Sequence, residues 1–331
     1  MNRILSVLLF LCVTISFSQT LSGTILDGAT NQPLESVSVY FDNTTIGTST
    51  NNQGQFSIEF TDAVQSTLVI SFLGYEKVFI SDYRTKNEIV VLLKESINEL
   101  DLIVIDTDDG MSRELKMKTF KQEFLGKSKN GTSCKILNEK DLKLRYNKRD
   151  GTLSAWSNTP LLVRNNSLKY EISFEIIDFE ITFGNWGSTA VVYLGTSFFK
   201  DLDTQKRKRI SKNRLKTYKG STQHFIRALY NKQLEEEGYI LGVKGFKVDP
   251  YEYLTTSLKD EYGYKTVVLK EKLDIFYKGS KESIIKTTIP EFKIDNYGNY
   301  APIADVLFGG NMGSQRLGDA LPLDYGLDTD Y

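Results

Sequence analysis

The sequence predicts a mainly β chain with some α: an N-terminal seven-stranded β-sandwich, then a mixed α/β domain rich in antiparallel sheet. Three observations carry that reading. From Leu21 onward, apolar and polar residues alternate at period two along short runs. Turn-forming Gly, Asn, Asp and Pro punctuate those runs. Aromatic residues make up 12% of the 331 positions, with 18 Tyr and 19 Phe, a usage that favours strands. The rest of the composition, 40% hydrophobic and 25% charged with a net charge of -1, is that of a folded chain.

The first element is a leader over residues 1–18. Arg3 gives a positive start, and Ile4 to Ile15 is almost continuously apolar, too short to span a bilayer. Ser16 and Ser18 are small residues at the positions a signal peptidase reads, so cleavage is expected after Ser18. Cys12 follows Phe10 and Leu11 rather than small residues, which argues against lipoprotein processing. No later run reaches about 18 consecutive apolar residues, so no transmembrane helix is expected. The Lys-rich strands of 265–286 lack the steady lipid-facing alternation of a membrane barrel. The expected location is the periplasm, or peripheral association with the outer membrane.

Residues 19–96 read as the sandwich. Leu21–Leu26 alternates and ends in the Asp27-Gly28 and Asn31-Gln32-Pro33 turn. Val37, Val39 and Phe41 mark a half-buried strand, and Asn51-Asn52-Gln53-Gly54 a hairpin leading into Phe56, Ile58 and Phe60. Leu68–Phe72 is a buried strand stopped by Gly74, and Val78–Ile80 and Ile89–Leu93 close the unit. Gly54 and Gly74 supply backbone freedom at a tight turn and a bend.

A known pattern emerges from Ser22-Gly23-Thr24-Ile25, Pro33-Leu34, Val37-Ser38-Val39, Gly47-Thr48, Asn52-Gln53-Gly54-Gln55-Phe56 and Ser71-Phe72-Leu73-Gly74-Tyr75. It resembles the carboxypeptidase regulatory-like domain. The resemblance implies a transthyretin-like sandwich, of the kind found at the front of many Gram-negative envelope proteins, TonB-dependent receptors among them.

Residues 97–111 are expected to form a linker, with one more strand suggested by Leu100, Ile103 and Ile105 before the acidic stretch Asp106–Gly110. The mixed domain then spans 112–326. Ser112 is placed to cap a helix running to Leu125, with Met117, Phe120 and Phe124 on one face and Gly126 as its stop. Asn138–Tyr146 reads as a short helix, and Ser221–Glu237 as a longer one with Phe225, Leu229 and Leu234 inward and Gly238 at its end. Strands are expected at Leu153–Trp156, Leu161–Arg164, Glu171–Ile181, Ala190–Leu194, Thr266–Phe276, Ser283–Ile289 and Phe292–Asp295. Several short runs here, including Phe124-Leu125-Gly126, Tyr218-Lys219-Gly220-Ser221, His224-Phe225-Ile226-Arg227 and Leu321-Pro322-Leu323-Asp324-Tyr325, are similar to an uncharacterised family of exported proteins. That resemblance implies location and domain order, and no activity.

No cluster of residues specifies a reaction, a cofactor or a metal. A zinc carboxypeptidase site needs two His and a Glu on the metal plus a Glu base, and this chain has 1 His in all. That residue, His224, follows Ser221 by three positions, where Ser221 reads as a helix N-cap and not as a nucleophile. No Gly-x-Ser-x-Gly elbow occurs. Of 2 Cys, only Cys134 lies beyond the leader, so it is expected to be buried and inert. Tyr251, Tyr253, Tyr262, Tyr264, Trp156 and Trp186 are candidates for stacking on sugars, with core packing as the plainer role. The carboxylate pairs Asp178/Glu180 and Asp201/Asp203 are too ordinary to define a glycosidase or calcium site.

The most unusual local feature is basic. Lys206, Arg207, Lys208, Arg209, Lys212, Arg214, Lys216 and Lys219 fall within fourteen residues. The leader places this run outside the cytosol, which removes nucleic acid as the partner. Its remaining readings are a solvated loop balanced by Glu235, Glu236 and Glu237, or a docking surface for phosphates, acidic glycans or lipid head groups. The functional expectation is a non-enzymatic envelope module that binds or assembles with a protein or glycan partner. The alternative is an envelope hydrolase of glycans or peptides, with His224 and acidic residues in a cleft of the second domain.

Overall fold

The computed structural model describes residues 18–61, 66–86, 88–96, 109–184 and 189–327. Seven strands build the N-terminal sandwich: β1 (Ser18–Asp27), β2 (Ser38–Phe41), β3 (Gly47–Ser49), β4 (Gln55–Thr61), β5 (Leu68–Ser71), β6 (Val78–Ile80) and β7 (Glu88–Leu93). One sheet has the order β4-β1-β7, the other β3-β2-β5-β6. Along β4, Phe56, Ile58 and Phe60 point inward while Gln55, Ser57 and Glu59 face solvent. β7 repeats the pattern with Ile89, Val91 and Leu93. Phe41, Phe60 and Tyr83 pack as a ring cluster between the sheets, at centroid distances of 5.0–5.7 Å. Gly54 is required where it stands. Its φ is +72°, and a Cβ would meet the Ile25 carbonyl oxygen at 2.5 Å.

The C-terminal region contains two further cores. The first opens with helices α1 (Arg113–Leu125) and α2 (Lys129–Ser133). It continues through β8 (Cys134–Ile136), β9 (Lys143–Asn147), β10 (Thr152–Trp156), β11 (Leu161–Asn165), β12 (Tyr170–Phe183) and β13 (Thr189–Asp201). β12 is long enough that β11 and β10 share one of its edges end to end, while β13 covers the other. Helix α1 matches its sequence signals at both ends: the Ser112 hydroxyl accepts from the Leu115 N–H, and Gly126 stops it at φ +94°. Its Phe120 and Phe124 stack on each other and on Phe179 and Phe174 of β12.

The second core follows helix α3 (Lys208–Tyr218) and is built on helix α4 (Thr222–Tyr230). Its strands are β14 (Tyr239–Val243), β15 (Phe246–Val248), β16 (Leu254–Thr256), β17 (Lys265–Leu269), β18 (Leu273–Tyr277), β19 (Lys281–Thr287), β20 (Glu291–Ile294), β21 (Tyr300–Ala301) and β22 (Val306–Gly309). The short helices α5 (Pro250–Tyr253) and α6 (Gly310–Gly313) lie between β15 and β16 and after β22. The strands form two antiparallel sheets, β15-β14-β18-β19-β22 and β16-β17-β20-β21.

Four expectations are corrected. Asn138–Tyr146 is a single 3-10 turn at Glu139–Asp141 followed by β9. The Asn138 side chain is spent on neighbours, donating to Asp141 and to the Pro160 carbonyl and accepting from Leu162 N–H. The helix from Ser221 stops at Tyr230, because Lys232 takes φ +57° and the chain turns. Thr266–Phe276 is two strands in different sheets, β17 and β18, divided at 270–272. The basic run is not a loop: most of it is helix α3. The strand expected around Leu100, Ile103 and Ile105, and Trp186, lie outside the described residues.

The sandwich is joined to the C-terminal region through its β2–β3 turn. Asn43 N–H donates to Ser197 O, Phe199 N–H to Thr44 O, and Leu323 N–H to Asn43 O, at 2.7–2.9 Å. Tyr297 and Leu323, from the far end of the chain, complete the sandwich's own core. No helix among the described residues is long and apolar enough to cross a membrane.

Candidate functional site

The eight basic residues of 206–219 divide on folding. Arg214 is structural: its guanidinium makes a two-pronged pair with Asp201, donates to the Leu168 and Lys169 carbonyls, and lies 3.9 Å from the centre of the Tyr170 ring. Arg207 is paired with Asp203 at 2.6 Å. The Asp201/Asp203 pair is thereby committed to holding helix α3. Lys219 contributes its carbonyl to the Lys281 ammonium. Lys206, Lys208, Arg209 and Lys212 are exposed on the outside. Lys216 alone of the run lines a cavity.

That cavity is a basin of about 550 Å³ where α1, α2, α3, β19 and the 311–319 segment meet. Its floor depends on glycines. A Cβ on Gly131 would sit 2.4 Å from the Gly126 and Leu125 carbonyl oxygens, and one on Gly318 would sit 2.4 Å from the Gly131 Cα. This close approach seats α2 against the Leu317–Asp319 turn, and Ser128 caps α2 by accepting from the Gly131 N–H. The polar groups of the floor are interlocked. Asp319 accepts from Ser128 and Asn130, while Asn130 also donates to Thr217 and accepts from Ser167.

Five cations and two carboxylates border the basin: Lys127, Lys129, Lys216, Lys281 and Arg316 against Glu123 and Asp319. Glu123 is shared by Lys127 at 2.9 Å and Arg316 at 3.9 Å. Burial and the nearby Lys216 charge hold the Lys281 ammonium below its ordinary pKa. Lys129 and Lys216 are exposed and have no carboxylate partner among the described residues. The basin is therefore electropositive, with two uncommitted ammonium groups on its rim. It is suited to hold an anion and carries no group positioned as a nucleophile or general base.

Sequence reasoning found only Lys216 of this set. Its signal for the rest was the compact Gly126-Lys127-Ser128-Lys129-Asn130-Gly131, two cations inside a glycine-bracketed turn. Lys281 and Arg316 carried no local signal.

The other candidate residues lie elsewhere. His224 is 2% exposed, and its ring is fully engaged. Nδ1 accepts from the Gly220 N–H at 3.1 Å and the Tyr239 hydroxyl at 2.7 Å, so the proton sits on Nε2 and is donated to Glu237 at 2.9 Å. Tyr218, Tyr239 and Tyr277 surround it. Burial holds its pKa below the usual imidazole range. The Ser221 hydroxyl accepts from the His224 backbone N–H, the N-cap role expected of it. His224 thus does not open on a cleft as the hydrolase alternative required. Cys134 is half-buried, donates to the Asn130 carbonyl, and its thiol is pushed up to about 12 by burial, which keeps it protonated. Asp178 lies exposed at the bulge of β12. Tyr251 and Tyr253 sit on α5, Tyr262 and Tyr264 before β17, and Trp156 on β10, not on one platform.

Residues 21–105 match the family model of the CarboxypepD_reg-like domain, so the sandwich is a domain of that family. The match ends before the region that carries the basin begins. No curated protein matches the chain. Among solved structures, the chain is matched to a 9R-lipoxygenase from Cyanothece PCC8801 at 13% identity and a TM-score of 0.19. The match covers 64% of this chain and 48%, about half, of that one. A likeness at that level carries no argument about fold or activity.

Proposed function

We propose that this protein is a non-enzymatic binding module of the cell envelope, exported by its leader, which captures an anionic ligand in the basin. The observation that carries the proposal is the pair Lys129 and Lys216, uncommitted cations on the rim of a concave polar site. The CarboxypepD_reg-like sandwich supports a binding role, and the leader over residues 1–18 supports export to the periplasm or the outer membrane surface. On this reading the sandwich is a docked accessory unit, and the basin is the ligand-binding element.

Inorganic phosphate is a sufficient first probe. It should bind the full chain at about 0.05 M salt and be lost as salt rises to about 0.5 M, where the screening length is well below the ~10 Å of 0.1 M. Lys129→Glu together with Lys216→Glu should abolish binding with the melting temperature unchanged. A wild-type chain that binds no anion at low salt overturns the proposal. Cell fractionation tests the location: full-length chain in the cytosol would defeat the export half.

A further inference from the structure

The basin is not lined like a site for a bare ion. Its cations are interspersed with amides and hydroxyls, and no aromatic or large aliphatic residue borders it. Several of those amides retain unused hydrogen-bonding capacity of both kinds. Gln315 accepts from the Thr222 N–H through Oε1, which leaves its NH₂ group to donate. Asn213 donates to the Ser167 carbonyl through Nδ2, which leaves Oδ1 to accept. Gln122 and Asn311 have side chains with no hydrogen-bond partner among the described residues.

A bare anion only accepts hydrogen bonds, so it would satisfy the ammonium groups and leave Asn213 Oδ1 unserved. A ligand with hydroxyl groups both donates and accepts. An acyl chain would need apolar walls, and a nucleobase would need a stacking face. Neither is present in the lining. A volume of about 550 Å³ lies in the range typical of small-molecule sites and is much larger than one tetrahedral ion requires.

From these features we infer that the basin's ligand is an anionic sugar, a phosphorylated or carboxylated saccharide. Its charged group is held between Lys129 and Lys216, and its hydroxyls meet Gln122, Asn213, Asn311 and Gln315. The inference rests on the anion-binding reading above and narrows it.

Calorimetric titration of the full chain with glucose 6-phosphate, glucuronate, glucose and inorganic phosphate, at matched low ionic strength, tests it. Glucose 6-phosphate should bind about tenfold tighter than inorganic phosphate, the gain expected from one or two extra hydrogen bonds, and glucose alone should not bind measurably. Binding of glucuronate as well would extend the class to carboxylated sugars; binding of glucose 6-phosphate alone would restrict it to phosphorylated ones. Asn213→Ala with Asn311→Ala should remove the tenfold preference while leaving phosphate binding intact. Equal affinity for phosphate and glucose 6-phosphate would overturn the sugar and leave the anion site standing. Binding of glucose as tight as that of glucose 6-phosphate would overturn the charge requirement. No binding by any anion would overturn both.

Discussion

In the sandwich, the residues that matter alternate along single strands, as Phe56, Ile58 and Phe60 do on β4. In the C-terminal region, the deciding groups are buried polar side chains that reach across the sequence. Arg227 is the plainest of these. It is 6% exposed, and its guanidinium donates to the carbonyls of Tyr297, Leu323 and Tyr325 at 2.7–2.9 Å, 70 to 98 residues away. Leu323 and Tyr297 in turn complete the sandwich core. One part is thus specified by local periodicity, the other by a few long-range polar ties that also hold the parts together.

The comparison is broken most directly at its two anchors. Arg227→Met leaves three carbonyls without their partner, at roughly 1–3 kcal/mol each where they stay dry, for an expected loss of about 3–5 kcal/mol. The segments it releases bridge the cores, so its denaturation curve should split into two transitions. Phe41→Ala empties one ring of the sandwich cluster and should cost about 3–4 kcal/mol without splitting the curve more than the wild type. A single sharp transition for the Arg227 variant would show that the polar ties are not what couples the parts.

A second, smaller test addresses the junction itself. Asp42 is pushed up to about 6 by burial between the sandwich and β13, against the hydrogen bonds it receives from Ser197 and Asn43. The folded protein therefore holds a proton that the unfolded chain releases between pH ~4 and ~6. Stability from this group falls as pH rises through that window and is flat above it. Asp42→Asn should remove the fall, gaining about 2 kcal/mol on the wild type at pH 7 relative to pH 4. Parallel pH profiles for the two proteins would refute the assignment.

These contrasts explain what was legible. The sandwich strands were readable because period two and turn glycines are local signals; only β3, at Gly47–Ser49, is too short to announce itself. Helix α1 was readable because Ser112 and Gly126 mark both ends. Helix α4 had a legible start at Ser221, but its end is set by the backbone at Lys232, where no glycine or proline marks it. Asn138 looked like a cap, and its amide is used to tie a turn to β11 instead. The basin was nearly illegible because its cations come from positions 127, 129, 216, 281 and 316, and only one of them lies in the charge run that drew attention. A modest check follows from the cap that was read correctly: Ser221→Ala should cost about 1 kcal/mol by freeing the His224 N–H, measured by the shift in denaturant midpoint.

The smallest expected effect separates the two faces of the basic helix. Lys208 and Arg209 occupy the first turn of α3, where the helix dipole disfavours positive charge. They contribute nothing favourable to the helix there, and Lys206 stands just before it. Changing Lys206, Lys208 and Arg209 together to Glu should therefore leave the fold intact and move the melting temperature slightly upward. Arg207 and Arg214 are left alone because they hold Asp203 and Asp201. Lys216 lies eight residues after Lys208, about 12 Å along the helix and close to one screening length at 0.1 M salt. The reversed charges should then act on the basin only by steering: anion association slows at low salt and recovers as salt rises, with the dissociation rate unchanged. The Lys129→Glu, Lys216→Glu pair should instead abolish binding at every salt concentration. If the outer reversal also abolished binding at moderate salt, the ligand would be held on the exposed face of α3 and the basin would not be its site.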